Sequence, residues 1–190
     1  MDSMEIILSI CLGIGLSSAC GFRIFVPPLI LSIASVAGQV HLVHGFEWIG
    51  TYPALIAFAL ATVLEIIAYY VPWLDNLLDS IAVPAAVIAG IIVSASVITG
   101  INPFLKWTLA VIAGGGAAGI IQALTAVTRA ASTATTGGLA NFLVSTAEAI
   151  VSIFISIISI LLPILAIIIL FVLICFLIMK IASRKRQSTQ

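Results

Sequence analysis

The sequence predicts an all-α protein, a polytopic bundle of membrane-spanning helices. Of its 190 residues, 63% are hydrophobic and only 7% are charged, whereas soluble domains are about 45–50% apolar and about 25% charged. Long charge-free intervals also separate the few charges, and a membrane span needs roughly 20 mostly apolar residues. A water-soluble monomer is therefore excluded. The net charge of zero, with no basic cluster before residue 180, argues against a nucleic-acid partner.

The charge-free intervals predict four to six spans. We interpret four stretches as full spans: 6–22, 53–72, 81–99 and 106–127. The stretch 24–36 begins near a proline pair and is short for a span, which predicts a half-helix or a re-entrant segment. The apolar stretch 143–179 would be about 55 Å long as one straight helix. Pro163 therefore either kinks this stretch or divides it into two spans.

Polar stretches between the spans are expected at the membrane surface. The stretch 39–52 reads as an interfacial loop with Trp48 as its aromatic anchor. Its histidines, His41 and His44, are a weak metal signal because Glu47 is the only further ligand nearby. The stretch 73–79 is predicted to be a short amphipathic interfacial turn, and 128–141 is a polar stretch that ends in Gly137-Gly138. We predict no metal and no cofactor.

The chain is expected to form a single transmembrane domain, 1–190, in the cell membrane. Its only basic cluster is Lys180, Arg184, Lys185 and Arg186. By the positive-inside rule, the tail 181–190 is cytoplasmic, as in a protein of the multi-pass type. The halves 1–100 and 101–180 each hold a glycine-rich helix, an arginine, a broken stretch and a glutamate. This is a candidate internal repeat of the kind found in transporters.

Small residues recur at a spacing of four, which places them on one helix face. The rows are Ser9, Gly13, Ser17 and Gly21; Ala82, Ala86, Gly90 and Ser94; Ala110, Gly114 and Ala118; and Gly115, Gly119 and Ala123. Such rows let helices approach closely in lipid. They predict packing within the chain or between copies in a homo-oligomer, and the glycines could alternatively gate a path. Membrane lipid is the other expected partner.

Three polar stripes recur at the period of an α-helix, 3.6 residues. The first is Ser145, Glu148, Ser152, Ser156, Ser159 and Pro163; the second is Gln122, Thr125, Arg129, Ser132 and Thr136; the third is Thr62, Glu65, Tyr69 and Pro72. A charge at membrane depth costs about 2.5–3.5 kcal/mol on insertion scales, so it should face protein or a watery cavity and find a partner. We expect Arg129 to pair with Glu148, and Arg23 to pair with Glu65.

These stripes predict an intramembrane polar site. Its candidate residues are Arg23, Glu65, Tyr69, Gln122, Arg129, Thr136, Asn141, Glu148 and Ser152. The serines could instead bond to their own helix backbone, and the glutamates could lie at the interface. Asp75 and Asp79 form an interfacial acidic pair, which could bind a cation or simply be a solvated rim.

Two functions from different classes fit this pattern. The first is binding or passage of a small solute, ion or lipid headgroup, with a proton linked to it. The second is a structural or assembly subunit that docks a partner membrane protein. No catalytic residues are predicted, because the chain has no Gly-x-Ser-x-Gly, His-Glu-x-x-His or Walker motif, and we do not expect an enzyme.

Several of these residues resemble a bacterial membrane family known as domain of unknown function 4126. The resemblance rests on Gly21-Phe22-Arg23 with Pro27-Pro28, on Glu65, on Asp75 and Asp79, and on Thr135-Thr136-Gly137-Gly138 with Asn141 and Glu148. It covers most of the chain up to about Pro163. It implies a small multi-span membrane protein and leaves the cargo open.

Overall fold

The computed structural model describes residues 2–137 and 140–187, without the side chains of 72–77, 79–80, 177–178 and 180–187. Over this part, the chain is all-α. The helices are α1 (Ser3–Cys20), α2 (Val26–Val36), α3 (Tyr52–Tyr69), α4 (Pro72–Val97), α5 (Pro103–Thr136), α6 (Asn141–Leu161) and α7 (Pro163–Gln187). Four of them, α1, α3, α5 and α6, are long and apolar enough to cross a bilayer. The predicted polytopic helix bundle is confirmed.

The helix boundaries follow from turn and capping residues. Thr51 accepts a hydrogen bond from the Ala54 N–H at the start of α3, and Asn102 accepts one from the Leu105 N–H at the start of α5. These side chains satisfy donors that a helix N-terminus leaves free. Gly38 ends the turn after α2 with a φ of +73°, a backbone conformation that favours glycine. The 11-residue α2 is thus a short helix, as predicted.

The predicted interfacial turn at 73–79 is wrong, and most of the polar stretch 128–141 is helical. The stretch 73–79 is the first part of α4, because Pro72 opens the helix and nothing interrupts it before Pro84. The polar stretch 128–141 does not interrupt α5, which continues to Thr136. Its alanines favour helix, and its threonine hydroxyls donate to carbonyls three or four residues earlier. The helix ends only where Gly137 adopts a left-handed conformation.

Pro163 divides the last apolar stretch into two helices. The backbone leaves the helical region at Leu162, and Pro163 begins α7 at a position where its missing N–H costs nothing. Ile155 of α6 and Leu170 of α7 then lie in one apolar cluster with Ala19 of α1. The chain therefore reverses at Leu162, and α6 and α7 form an antiparallel hairpin.

The small-residue rows pack helices α1, α4 and α5 against one another. Ser17 of α1 donates to the Gly90 carbonyl of α4 at 2.6 Å and bonds to Ser94 at 2.7 Å. A Cβ on Gly114 of α5 would contact the Ser94 side chain and lie 3.1 Å from the Gly90 oxygen. These four residues are buried within one chain, whereas Ala123 of the last row is exposed. A homo-oligomer stays a prediction.

Helix directions predict that the two ends of the chain lie on opposite sides of the membrane. Helix α1 runs antiparallel to α6, because Ala19 accepts from Ser152 while Gly15 packs near Ser159. Since α6 and α7 form a hairpin, α7 runs parallel to α1. We expect the N-terminus outside the cell if the basic tail is cytoplasmic.

This topology can be measured with Ser3→Cys and Gln187→Cys, made separately in a chain whose native cysteines, Cys11, Cys20 and Cys175, are replaced by serine. A membrane-impermeant maleimide should label position 3 on intact cells and position 187 only after the membrane is opened. Labelling of both positions under the same condition would contradict the arrangement.

Candidate intramembrane charge site

The predicted polar stripes face the inside of the bundle. Helix α3 buries three residues, Thr62, Glu65 and Tyr69, and all of them belong to its stripe. The neighbouring Leu64 is 67% exposed. Helix α6 likewise buries the polar stripe that begins at Ser145. These helices therefore turn apolar side chains outward, as lipid requires, and polar side chains toward protein.

Arg129 and Glu148 form the pair that the sequence predicts. The Arg129 Nε–H donates to Glu148 Oε1 at 3.1 Å, and its Nη2 group bonds to Oε2. Both carboxylate oxygens are therefore held side-on by one guanidinium, the strongest arrangement for such a pair. The short turn between α5 and α6 brings the two stripes together. Arg129 is 1% exposed and Glu148 is 5% exposed.

Arg23 joins the same carboxylate, which differs from its predicted pairing with Glu65. Its Nη2 atom lies 3.6 Å from Glu148 Oε2. The same nitrogen donates to the Ser145 carbonyl at 2.7 Å and to the Ser145 hydroxyl. The Arg23–Glu65 ion pair is therefore a wrong prediction. Arg23 leaves the turn after α1 toward α6, so it reaches the α6 carboxylate instead.

Glu65 binds the backbone that follows Arg23. Its two oxygens accept from the Ile24 N–H at 2.8 Å and from the Phe25 N–H at 3.1 Å. These groups lie immediately before α2, where backbone donors have no partner within the helix. A carboxylate is also favoured at the positive end of a helix dipole. Glu65 thus fixes the turn that carries Arg23.

Tyr69 lies against both guanidinium groups. The Cζ atoms of Arg23 and Arg129 lie 4.1 and 4.0 Å from the centre of its ring. Cations at this distance from an aromatic face are attracted to its electron-rich surface, most strongly where water is absent.

We call Arg23, Glu65, Tyr69, Arg129, Ser145 and Glu148 the charge cluster. Its members come from the turn after α1 and from helices α3, α5 and α6. Two arginines and two glutamates give a formal charge of zero, which explains how the cluster can be buried in an apolar bundle.

Some donors next to this cluster have no hydrogen-bond partner within the described part of the chain. They are the Nε and Nη1 groups of Arg23, the side-chain NH₂ group of Gln122 and the hydroxyl group of Thr62. Gln122 shares a face of α5 with Arg129, and Thr62 shares a face of α3 with Glu65. Buried donors of this kind are uncommon in folded proteins. Arg23 therefore has donors that no acceptor among the described residues uses.

The serines beyond Glu148 pack α6 against α1. Ser152 donates to the Ala19 carbonyl at 2.9 Å, while Ser156 and Ser159 donate to their own helix. All three have no exposed surface. A Cβ on Gly15 would overlap the Ser159 hydroxyl. This part of the stripe is a close helix contact in the structure.

The remaining predicted site residues lie elsewhere. Thr136 is exposed and accepts from the Ala140 N–H, and Asn141 donates to Thr133 at 2.9 Å. Thr136 is the last residue of α5, and Asn141 is the first residue of α6. The side chains of Asp75 and Asp79 lie outside the described residues.

The interfacial loop between α2 and α3 forms its own small network. His44 Nδ1 bonds to Glu47 Oε1 at 2.9 Å, and the Gly45 N–H donates to Oε2 at 2.6 Å. Hydrogen bonds from its own backbone N–H, from His44 and from Gly45 lower the pKa of the exposed Glu47 carboxyl. Within the described residues, no three His, Cys, Asp or Glu side chains are grouped to hold a metal ion.

Sequence reasoning missed the sharing of Glu148 and the backbone donors at Ile24 and Phe25. The polar stripe on α6 did include Ser145, which lies one turn before Glu148 and binds Arg23 in the structure. The stripe therefore contained a residue that could have indicated the partner of Arg23. Nothing in the sequence marked the backbone donors, because their direction depends on how the turn after α1 is folded.

The helices and the charge cluster define a multi-pass integral membrane protein with a buried polar site. The chain belongs to the family described as domain of unknown function (DUF4126), which matches residues 10–183. The resemblance noted from the sequence is confirmed. No curated protein and no solved structure matches the chain.

Proposed function

We propose that this protein binds a small solute, ion or lipid headgroup at the charge cluster and passes it through the membrane, with a proton linked to the step. One observation carries the proposal: Glu148 is shared by two buried arginines that come from different parts of the chain. Charged groups inside a membrane protein are costly to keep, and they commonly mark a substrate or ion pathway.

A contribution to folding stability does not by itself explain why these charged residues are buried. Replacing a buried ion pair by well-packed apolar residues is often neutral or stabilising. Other contacts in the bundle come from small residues, serines and apolar clusters, which pack helices without any charge. A purely structural site therefore had a less costly alternative, whereas a site for a charged or polar ligand needs these groups.

Passage requires a rearrangement of α6 against α1. The serines that continue the stripe beyond Glu148 are fully buried in that contact. Glu148 is also one group through which α6 holds two other elements, because it binds Arg23 and Arg129. Neutralising or displacing its carboxylate would weaken both links together. We propose this release as the step that couples ligand binding to movement.

A flux assay in proteoliposomes tests the proposal. Vesicles containing a pH-sensitive dye would receive inward gradients of sodium, potassium, chloride, nitrate and formate in turn. We expect one gradient to drive proton movement above that of protein-free vesicles. Glu148→Gln and Glu65→Gln should each reduce the rate about tenfold, the equivalent of one lost charge-assisted hydrogen bond.

The matched control is Glu47→Gln, which removes an exposed carboxylate from the interfacial loop, far from the cluster along the chain. It should leave the rate unchanged. Equal rates in the wild type and both cluster variants would contradict the proposal. That result would favour the assembly subunit, in which the glutamates tolerate neutral replacement.

A further inference from the structure

We propose that bound water fills a half-channel, which enters the bundle beside the turn between α5 and α6, passes Arg23 and ends at Gln122 and Thr62. The inference adds two things to the proposed function: water as a bound component, and the side from which a solute reaches the charge cluster. Its role as a route rests on the proposed function, whereas the bound water follows from the geometry alone.

The first observation is a set of buried polar atoms without a hydrogen-bond partner among the described residues. They are Arg23 Nε and Nη1, Gln122 Nε2, Thr62 Oγ1 and Ser132 Oγ. As residues, Arg23, Gln122 and Thr62 are only 1%, 2% and 7% exposed. Leaving such groups unpaired costs free energy, and buried water is what commonly satisfies them. We therefore place water beside each of these groups.

The second observation is that buried hydroxyl groups elsewhere in the bundle do have partners. Ser17 donates to α4 at 2.6 Å, Ser32 donates to the loop before α3 at 2.6 Å, and Ser152 donates to α1 at 2.9 Å. Thr125 donates to its own helix at 2.9 Å. The unpaired groups are therefore a local feature of the elements that carry the charge cluster, and they do not reflect the interior as a whole.

The unpaired groups also form a row along α5 and α3. Ser132 and Gln122 lie on the polar stripe of α5, on either side of Arg129, and the ten residues from one to the other span about 15 Å. Tyr69, whose ring contacts both arginines, is the last residue of α3. Thr62 lies two turns before it on the same buried face, a distance of about 10 Å.

Helices α3 and α5 run in the same direction, so Thr62 and Gln122 lie on the same side of the cluster. Helices α5 and α6 form a hairpin around the Arg129–Glu148 pair, and α6 is antiparallel to α1, so α5 is parallel to α1. The loop before α3 contacts the end of α4, which in turn contacts Ser9 in the first half of α1. Helix α3 therefore also starts at the N-terminal end of α1 and ends at the cluster.

The row ends where three helices come into close contact. Ala118 lies one turn before Gln122 on α5 and has no exposed surface. A Cβ on Gly21 of α1 would lie 2.5 Å from the Ala118 carbonyl oxygen, and a Cβ on Gly90 of α4 would lie 2.7 Å from the Ala118 Cβ atom. Helices this close leave no room for water between them. The half-channel is therefore closed toward the N-terminal end of α1.

The other end of the row lies near the surface. Ser132 is partly exposed, and Thr136, one turn further along α5, is exposed. Since α5 and α7 both run parallel to α1, this end lies on the same side of the membrane as the C-terminal tail. Water, and a solute that moves with it, would therefore reach the cluster from the side of the tail.

Water-edited solid-state NMR on the full-length, ¹⁵N-labelled protein in liposomes tests for the bound water. Polarisation transferred from water protons at short mixing times should reach Arg23 Nε and the Gln122 side-chain nitrogen, as it reaches the exposed Gln39. Gln122→Met, with an unbranched apolar side chain, identifies the amide signal. The dry reference is the backbone N–H of Leu16, which lies in an apolar cluster without exposed surface. Signals from Arg23 and Gln122 as weak as that of Leu16 would overturn the inference.

Cysteine modification tests the side of entry. In a chain with Cys11 and Cys175 replaced by serine, Ser132→Cys should react with a small, membrane-impermeant thiosulfonate at least tenfold faster from the side of the tail than from the other side. Cys20 stays in this chain as the matched reference, because it has no exposed surface and lies in one apolar cluster with Ala118. It should not react. Faster modification of Ser132→Cys from the other side, or equal rates from both, would overturn the half-channel.

The two proposals fail in different ways. If Arg23 and Gln122 are dry while Glu148→Gln still alters flux, the half-channel is overturned and the proposed function stands. If both residues are hydrated and neither Glu148→Gln nor Glu65→Gln alters flux, the bound water stands and the proposed function is overturned.

Discussion

Glu148→Ala is expected to lower the free energy of unfolding by about 3–5 kcal/mol, the usual cost of removing one partner from a buried ion pair. The loss is large because the carboxylate serves two arginines. Arg129 loses both of its hydrogen bonds to Glu148, and Arg23 loses the anion 3.6 Å from its Nη2 atom. Two guanidinium groups would then remain buried beside Tyr69, with Glu65 as the remaining carboxylate of the cluster. Reversible unfolding in mixed micelles measures the change.

A double-mutant cycle separates the interaction energy of Arg129 with Glu148 from the energy that each side chain contributes through packing. Arg129→Ala combined with Glu148→Ala should cost less than the sum of the two single changes, because the double variant removes one charge of each sign. Glu47→Ala, at an exposed carboxylate, is the control and should unfold like the wild type. Additive losses at positions 129 and 148 would show that the two side chains do not interact.

Much of the charge cluster could be predicted because polar residues are rare in membrane-spanning helices and their spacing is therefore easy to recognise. In a chain with so few charges, charged and hydroxyl residues at helical spacing mostly mark an inward face, although Thr136 at the end of the second stripe is exposed. The α3 stripe shows this most clearly, since Thr62, Glu65 and Tyr69 are the buried residues of that helix. The Arg129–Glu148 pair followed from a short connection between two stripes.

The partner of Arg23 could not be predicted in the same way. Forty-two residues separate it from Glu65, and it extends from an irregular turn, so its direction depends on how α1, α2 and α6 meet. Glu65 does approach this turn, but through the backbone N–H groups of Ile24 and Phe25. Spacing in the sequence identifies charges that need partners. The backbone of the turn decides which partners they find.

Polarity was also a poor guide to where helices end. Residues 128–136 are rich in threonine, serine and alanine, and they continue α5 because the helix backbone satisfies the hydroxyl groups of Thr128, Thr135 and Thr136. The positions with special backbone requirements were better guides: Gly38, Gly137 and Pro163 each mark an observed end or start.

Gly21→Ala is the other change with a large expected effect, and it should destabilise the bundle by about 1–3 kcal/mol through overpacking. A Cβ at this position would lie 2.5 Å from the Ala118 carbonyl oxygen and 2.6 Å from the Ile121 Cβ atom of α5. Neither atom is the end of a flexible side chain, so α1 and α5 would have to separate. Because Arg23 lies two residues beyond Gly21, the same shift would move its guanidinium group away from Glu148.

Gly116→Ala is the matched control, since it adds the same methyl group to α5 where no atom lies within 4 Å. It should be neutral or stabilise the protein by up to about 1 kcal/mol, because alanine favours a helix interior more than glycine does. Unfolding of the two variants in mixed micelles compares them directly. If Gly21→Ala were as stable as Gly116→Ala, the close contact of α1 with α5 would be wrong, and so would the position that it gives to Arg23.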